Sequence, residues 1–329
     1  MTPLRWGILG TGRIAGIFAE GLRSVDDAEL VAVGSRTDAA AQAFGQRFGA
    51  ARRHASYAAL ANDSGVDVIY VATPHTLHKD TTLLCLAAGK PVLCEKPFAI
   101  NAAEATQMIA AARARGLFLM EAMWTRFLPH IVRLRELLAA GTIGELRMLK
   151  ADFCFRTDFN PQGRLFDPAL GGGALLDVGI YPVSLASLLL GAPERIVSMA
   201  ELGATGVDEQ AALIFGYPAG QLAVLTAATR TATPHEALIC GTAGQIRIQH
   251  EWWGPSRMTL TLPGQPDQLI DPPTIGNGYN YEAIEVGRCL RAGRLESDMI
   301  PLDETLAIMR TLDQVRAQWG LRYPSEAQR

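Results

Sequence analysis

Only 4 of the 30 basic residues are lysine, so ammonium chemistry has few candidates. One of them, Lys96, closes the apolar run Val92-Leu93-Cys94-Glu95-Lys96-Pro97. A lysine at the carboxyl end of a buried strand stands where α/β sheets bind ligands. There it can hydrogen-bond a reacting hydroxyl and stabilise negative charge developing on oxygen. Asp177 and Tyr181 lie four residues apart on a helix expected over 173–190, which opens from Gly171-Gly172-Gly173. That spacing gives them one helix face. A phenol ionises near pH ~10, so Tyr181 serves as a base near neutrality only beside a cation such as Lys96. Asp177 would hold substrate hydroxyls or orient the pair. The plainer reading makes Tyr181 a core aromatic and Asp177 an exposed helix acid. His75 and His78 follow a strong strand, in Thr73-Pro74-His75-Thr76-Leu77-His78. No carboxylate or cysteine pattern accompanies them, so no metal is expected.

A second constellation precedes these. Gly10-Thr11-Gly12-Arg13-Ile14-Ala15 follows a strand-like run and opens a helical one. This G-x-G-x-x-A pattern in the first βαβ unit is the dinucleotide fingerprint. Its first glycine allows a tight turn, its second lets backbone approach a pyrophosphate, and the small Ala15 lets helix and strand pack closely. The helix N-terminus beginning at Arg13 and Ile14 supplies N–H donors to the phosphates. Enzymes that select NAD place an acid at the tip of the second strand. Here that tip reads Val33-Gly34-Ser35-Arg36-Thr37, a hydroxyl and a guanidinium without an acid. These suit a 2′-phosphate, so NADP(H) is expected to bind, and NAD(H) more weakly.

The elements that position these groups alternate regularly over the first 120 residues or so. Strand patterns near 4–9, 29–33, 66–72, 91–94 and 117–120 enclose helical patterns near 14–22, 39–48, 79–88 and 102–115. Such alternation implies right-handed βαβ crossovers and an α/β fold, a doubly wound parallel Rossmann sheet. The pattern changes near Trp124. A helix near 129–139 and a long strand over 146–155 precede the triple-glycine helix. Strand-like runs then fill 196–262, and two helices near 279–292 and 302–319 end the chain. This is an α+β domain with an open, mostly antiparallel sheet. The boundary is placed at 123/124, giving a dinucleotide domain over 1–123 and a substrate and oligomerisation domain over 124–329.

The net charge of −3 and the scattered basic residues exclude a polyanion held by bulk charge, so no nucleic acid is expected. The five cysteines form no C-x-x-C pair, which speaks against a disulfide framework and for a reducing cytoplasm. No signal-peptide pattern opens the chain, and no run of ~18 consecutive apolar residues suggests a membrane span.

Three segments carry a family resemblance: 92–97, Glu121-Ala122-Met123-Trp124-Thr125-Arg126-Phe127, and 171–181. Together with the glycine loop, they resemble the Gfo/Idh/MocA oxidoreductases. The likeness is nearest to the branch of dimeric dihydrodiol dehydrogenases and NADP-dependent D-xylose dehydrogenases. It implies a Rossmann domain followed by a domain whose open sheet forms oligomer contacts, hence a homodimer or homotetramer. It implies that Lys96 is catalytic, with Tyr181 where many members carry histidine. It also implies that Thr73, His75 and His78 border the nicotinamide and its ribose, with Glu95 nearby. Trp124 and Arg126 are expected to border cofactor, and Trp124, Phe155, Asp177, Tyr181 and Lys96 to meet substrate. The implied reaction is hydride transfer between nicotinamide and an alcohol or hemiacetal carbon of a sugar, cyclic polyol or trans-dihydrodiol. Two rival readings are a glucose–fructose oxidoreductase-like enzyme that keeps its NADP bound, and a non-catalytic NADP-binding regulator.

Overall fold

The computed structural model describes residues 2–326. It divides into two compact units, the first running to Trp124 and resuming over Ile275–Leu306. The second comprises Thr125–Thr274 and the chain from Ala307 onward.

The first unit is built on six parallel strands: β1 (Leu4–Leu9), β2 (Ala28–Gly34), β3 (Arg52–His54), β4 (Val68–Val71), β5 (Val92–Glu95) and β6 (Leu119–Ala122). Their order is β3-β2-β1-β4-β5-β6, the doubly wound arrangement. Strand order reverses between β1 and β4, which puts a ligand crevice at the carboxyl ends of the strands. β4, β5 and β6 are buried along their whole length, as a sheet covered on both faces requires. The helices are α1 (Arg13–Leu22), α2 (Asp38–Phe48), α3 (Tyr57–Ala61), α4 (His78–Ala87) and α5 (Ala102–Arg115). Side chains of Thr37, Ser56 and Asn101 accept backbone N–H groups at the starts of α2, α3 and α5. The short β3 and α3 have no counterpart in the sequence-based elements.

In the second unit, α6 (Pro129–Ala139) and α7 (Ile180–Leu190) accompany eight strands. These are β7 (Leu146–Cys154), β8 (Arg195–Leu202), β9 (Asp208–Gly216), β10 (Leu222–Ala228), β11 (Ala237–Gly241), β12 (Gln245–Ile248), β13 (Met258–Thr261) and β14 (Gln268–Ile270). Their order is β14-β13-β12-β11-β7-β10-β9-β8. The sheet is antiparallel except where β7 pairs with β10. One face is apolar and covered: Ala174 and Val178 pack on Ala227, with Phe153 and Phe155 against them. The stretch Pro168–Leu190 is long and apolar enough to cross a membrane, but most of it is buried inside the fold.

The remaining helices are α8 (Asn280–Arg291) and α9 (Leu302–Trp319). The segment Ile275–Leu306 returns to the first unit, a division unlike the single break placed at 123/124. The Asn277 side chain donates to the Ile17 carbonyl of α1 at 2.8 Å, and Thr305 Oγ1 donates to Glu121 Oε2 at 3.2 Å.

Candidate active site

In the first unit, Gly10 has φ +113°, and a Cβ there would lie 2.5 Å from the Ala72 carbonyl oxygen. Its lack of a side chain is therefore a steric requirement of the turn. Gly12 differs: its φ is −75°, and a Cβ there would meet nothing within 4 Å. Gly12 faces open space at the N-terminus of α1, which has no side-chain cap and no acid in its first turn. Unmasked N–H donors beside a bare backbone fit a pyrophosphate. Arg13 is exposed and Ile14 half-buried at the same turn. At the tip of β2, Ser35 is buried with its hydroxyl 3.3 Å from Thr11 Oγ1, and Arg36 is exposed. No carboxylate stands at that tip, so the residues present fit a dinucleotide carrying a 2′-phosphate.

Lys96 is half-buried directly after β5, and the Lys96–Pro97 peptide is cis. Its backbone is held from two sides. The backbone N–H of Lys96 donates to Glu95 Oε2 at 3.1 Å, while the Tyr70 hydroxyl donates to Glu95 Oε1. Glu95 is buried, so its carboxylate turns inward and organises the strand end. It is engaged there rather than presented to a ribose. Close enough to interact with it electrostatically is Glu282, fully buried, whose two carboxyl oxygens have no hydrogen-bond partner. Burial first, and the neighbouring Glu95 second, push the Glu282 carboxyl well above the usual range.

His78 corrects an expectation. It is fully buried, with Nδ1 2.8 Å from the Pro97 carbonyl and Nε2 2.9 Å from the Thr73 carbonyl. Burial pushes its pKa down to about 4, against the two carbonyls that favour the cation. The neutral ring donates to one carbonyl at a time. His78 thus ties the β4 loop to the Lys96–Pro97 turn instead of touching a ligand. His75 is half-buried, with its ring centroid 5.7 Å from that of His78, and Thr73 is buried at the end of β4. Trp124 stacks on Tyr279 at 4.2 Å between centroids, a partner supplied by the returning segment.

In the second unit, the site helix is not uniform. Residues Leu175–Gly179 form a π turn before α7 begins at Ile180. Asp177 therefore sits in the π turn and Tyr181 in the α-helix, which modifies the simple i, i+4 picture. Such turns recur at functional sites because they re-aim the side chains that follow. Arg164 pairs with Asp177, at 2.6 Å and 3.4 Å to its two carboxylate oxygens. Asp177 is buried, while the Arg164 side chain is 62% exposed.

Tyr181 is buried among aromatic rings. Its centroid is 5.2 Å from Phe153 and 6.5 Å from Trp253, and those two stack at 3.3 Å with an 8° interplanar angle. Phe155, expected at the substrate, is half-buried 6.3 Å from Phe153. The Trp253 backbone is fixed because its carbonyl accepts Thr125 Oγ1 at 2.6 Å. Sequence reasoning missed Phe153 and Trp253. The double tryptophan 252–253 after a strand was the available signal. Arg126 was placed at the cofactor, but it is 1% exposed and donates to Ser184 Oγ and the Ser184 carbonyl, both at 3.0 Å. Its charge is committed to anchoring α7.

Both units match known protein families. Residues 4–123 match a family model described as an oxidoreductase family with an NAD-binding Rossmann fold. Residues 131–247 match the GFO/IDH/MocA C-terminal domain. The chain is 40% identical to trans-1,2-dihydrobenzene-1,2-diol dehydrogenase of Mus musculus, over 98% of this chain and 99% of that protein. The Homo sapiens enzyme of the same name is 39% identical with the same coverage. Among solved structures, an aldose-aldose oxidoreductase from Caulobacter crescentus, complexed with glycerol, superposes with a TM-score of 0.89. It is 26% identical, and the match covers 97% of this chain and 98% of that one. A 3-ketoreductase from Actinomadura kijaniata, in complex with NADP and TDP-benzene, gives a TM-score of 0.86 at 26% identity, covering 96% and 98%. With matches on both units and full-length relatives at this identity, the chain belongs to the Gfo/Idh/MocA oxidoreductase family.

Proposed function

We propose that this protein is an NADP-dependent dehydrogenase that oxidises a secondary alcohol of a trans-dihydrodiol. The observation that carries this reading is the aromatic wall around Tyr181, where Phe153 and Trp253 suit a flat, largely apolar ring. The full-length likeness to dihydrodiol dehydrogenases supports it. When bound, the nicotinamide supplies the hydride acceptor. The ammonium of Lys96 hydrogen-bonds the reacting hydroxyl and stabilises the negative charge developing on it. Tyr181, in its phenolate form, takes the hydroxyl proton and becomes the neutral phenol, and Asp177, held by Arg164, receives a second substrate hydroxyl. Thr73 and His75 line the nicotinamide side, and Trp124 borders both ligands. A sugar is the second reading, favoured by the Asp177–Arg164 pair, which suits a polyhydroxylated ring. Steady-state assays with a trans-dihydrodiol, pentoses and hexoses separate the two. The diol should give the higher kcat/KM, and activity on sugars alone would overturn the first reading.

Cofactor choice follows from Ser35 and Arg36. Arg36→Ala should weaken NADP binding by roughly 10- to 100-fold, the loss of one charge-assisted contact. NAD binding should stay nearly unchanged. Titration of both nucleotides by fluorescence checks this, and equal losses would remove the 2′-phosphate assignment.

The uncovered sheet face supports a homodimer. Val197 and Met199 on β8 are 64% and 78% exposed, and Ile214 on β9 is 47% exposed. Register places Val197 opposite Ile214, and Ile214 opposite Val224, so these residues form one apolar face. A second copy of the same face would cover it isologously. Sedimentation at micromolar concentration should give a dimer or larger, and Ile214→Glu should shift it to monomer. A wild-type monomer would contradict the proposal. Five unpaired cysteines fit a reducing, cytoplasmic location.

A further inference from the structure

Asp208, the first residue of β9, is fully buried and plays no part in the chemistry proposed above. Its Oδ2 accepts the backbone N–H of Leu175 at 2.6 Å. Its Oδ1 has no hydrogen-bond partner. Gly173 has φ +113°, and a Cβ there would overlap Asp208 Oδ1. The carboxyl is thus seated against the backbone at 173–175, where the first N–H groups of the π turn lack intrahelical acceptors. The Tyr323 hydroxyl holds the residue just before this backbone, donating to the Gly172 carbonyl at 2.7 Å.

We infer that Asp208 is a positioning residue: by fixing the first turn of the helix, it sets where Asp177 and Tyr181 present their side chains. The inference rests on the reading of Tyr181 as the group that takes the substrate proton. A π turn can shift along a helix, so the aim of Tyr181 depends on an anchored start. An ionised carboxylate is the better anchor, because it accepts N–H groups and faces the positive end of the helix dipole.

The anchor titrates within the working range. Burial raises the Asp208 pKa to about 7, opposed by the Leu175 N–H and by the Arg316 guanidinium. The ionisable groups facing it are Arg316 and Tyr323. Arg316 is itself paired with Asp313 at 2.8 Å and Glu326 at 2.9 Å. A raised folded-state pKa means that the folded protein binds this proton more tightly than the unfolded chain. Its contribution to stability is complete below the ordinary carboxyl pKa and is lost as pH rises through about 7. The ionised form is therefore the less stable one and the better positioned one.

Asp208→Asn tests this because its two effects have opposite signs. The neutral amide should raise Tm above wild type at pH ~8.5, by at least ~2 °C. It should also lower kcat/KM for the alcohol by roughly 10-fold and remove the limb near neutral pH from its pH profile. NADP affinity should stay within about 2-fold of wild type. Asp208→Ala should lower kcat/KM by about 10²-fold; if it does not fold, Asp208→Asn alone decides. Wild-type kcat/KM with the limb intact in Asp208→Asn would overturn the inference. A fall in Tm and kcat/KM together would overturn it too, since that marks a merely structural residue. If Tyr181→Phe keeps normal turnover, the reading beneath the inference fails separately. In that case a change in Asp208→Asn would report on Asp177 alone.

Discussion

Lys96→Met should lower kcat for alcohol oxidation by about 10²–10³-fold while NADP still binds. Methionine keeps the length of the side chain and removes the charge. The turn itself should survive, because Glu95, Tyr70 and His78 hold its backbone through contacts independent of the ammonium. Tyr181→Phe should cost about as much by removing one hydroxyl from a ring that stays packed on Phe153. The double variant should fall little further, because groups acting as a unit on one proton are not additive. Single-turnover kinetics with saturating NADP measures all three. If the two single losses multiplied in the double variant, the groups would act independently. A Tyr181→Phe enzyme with near-normal kcat would leave Lys96 as the proton acceptor.

The second large effect separates two glycines of one loop. Gly10→Ala forces an alanine to φ +113° and drives its methyl against the Ala72 carbonyl. Strain and overlap together should cost on the order of 3 kcal/mol or more. For a chain of this size that lowers Tm by about 4 °C or more, and dinucleotide binding should be lost with it. Gly12→Ala has a permitted φ of −75° and open space for the methyl. It should fold with a Tm within about 2 °C of wild type, since alanine is a poorer N-cap than glycine by only about 1 kcal/mol and that loss is small for a chain of this size. Its NADP affinity should nevertheless drop at least ~10-fold, because the methyl occupies the surface a pyrophosphate must approach. Thermal melts with and without NADP distinguish the two. Normal NADP affinity in Gly12→Ala would place the phosphates elsewhere.

Much of this was legible in the sequence, for physical reasons. A parallel sheet covered on both faces needs continuous apolar strands, and runs such as Val68–Val71 announce themselves. The glycine loop is legible because the turn after β1 tolerates no side chain at Gly10. Lys96 stood out through the scarcity of lysine and its place after a strand. What escaped depends on partners distant in sequence. The periodicity of α8 shows that it has an apolar face but not which sheet that face covers, so the return of Ile275–Leu306 was unreadable. Arg126 reads as a site residue until Ser184, 58 positions away, is seen to hold its guanidinium. His78 likewise reads as a ligand contact until it is seen fully buried with the Thr73 and Pro97 carbonyls facing its two nitrogens. The π turn has no sequence signal, because Leu175–Gly179 lies in a nearly continuous apolar run. The tryptophan pair at 252–253 marks an aromatic spot, but only the fold stacks Trp253 on Phe153 beside Tyr181.

The most direct measurement follows NADPH absorbance when the purified protein is mixed with NADP and trans-1,2-dihydrobenzene-1,2-diol, with Tyr181→Phe run in parallel. Continuous NADPH formation by the wild type, at least ~10²-fold faster than by the variant, is the predicted result. No NADPH formation with this diol or with any sugar or cyclic polyol, by a protein that binds NADP normally, would contradict the account.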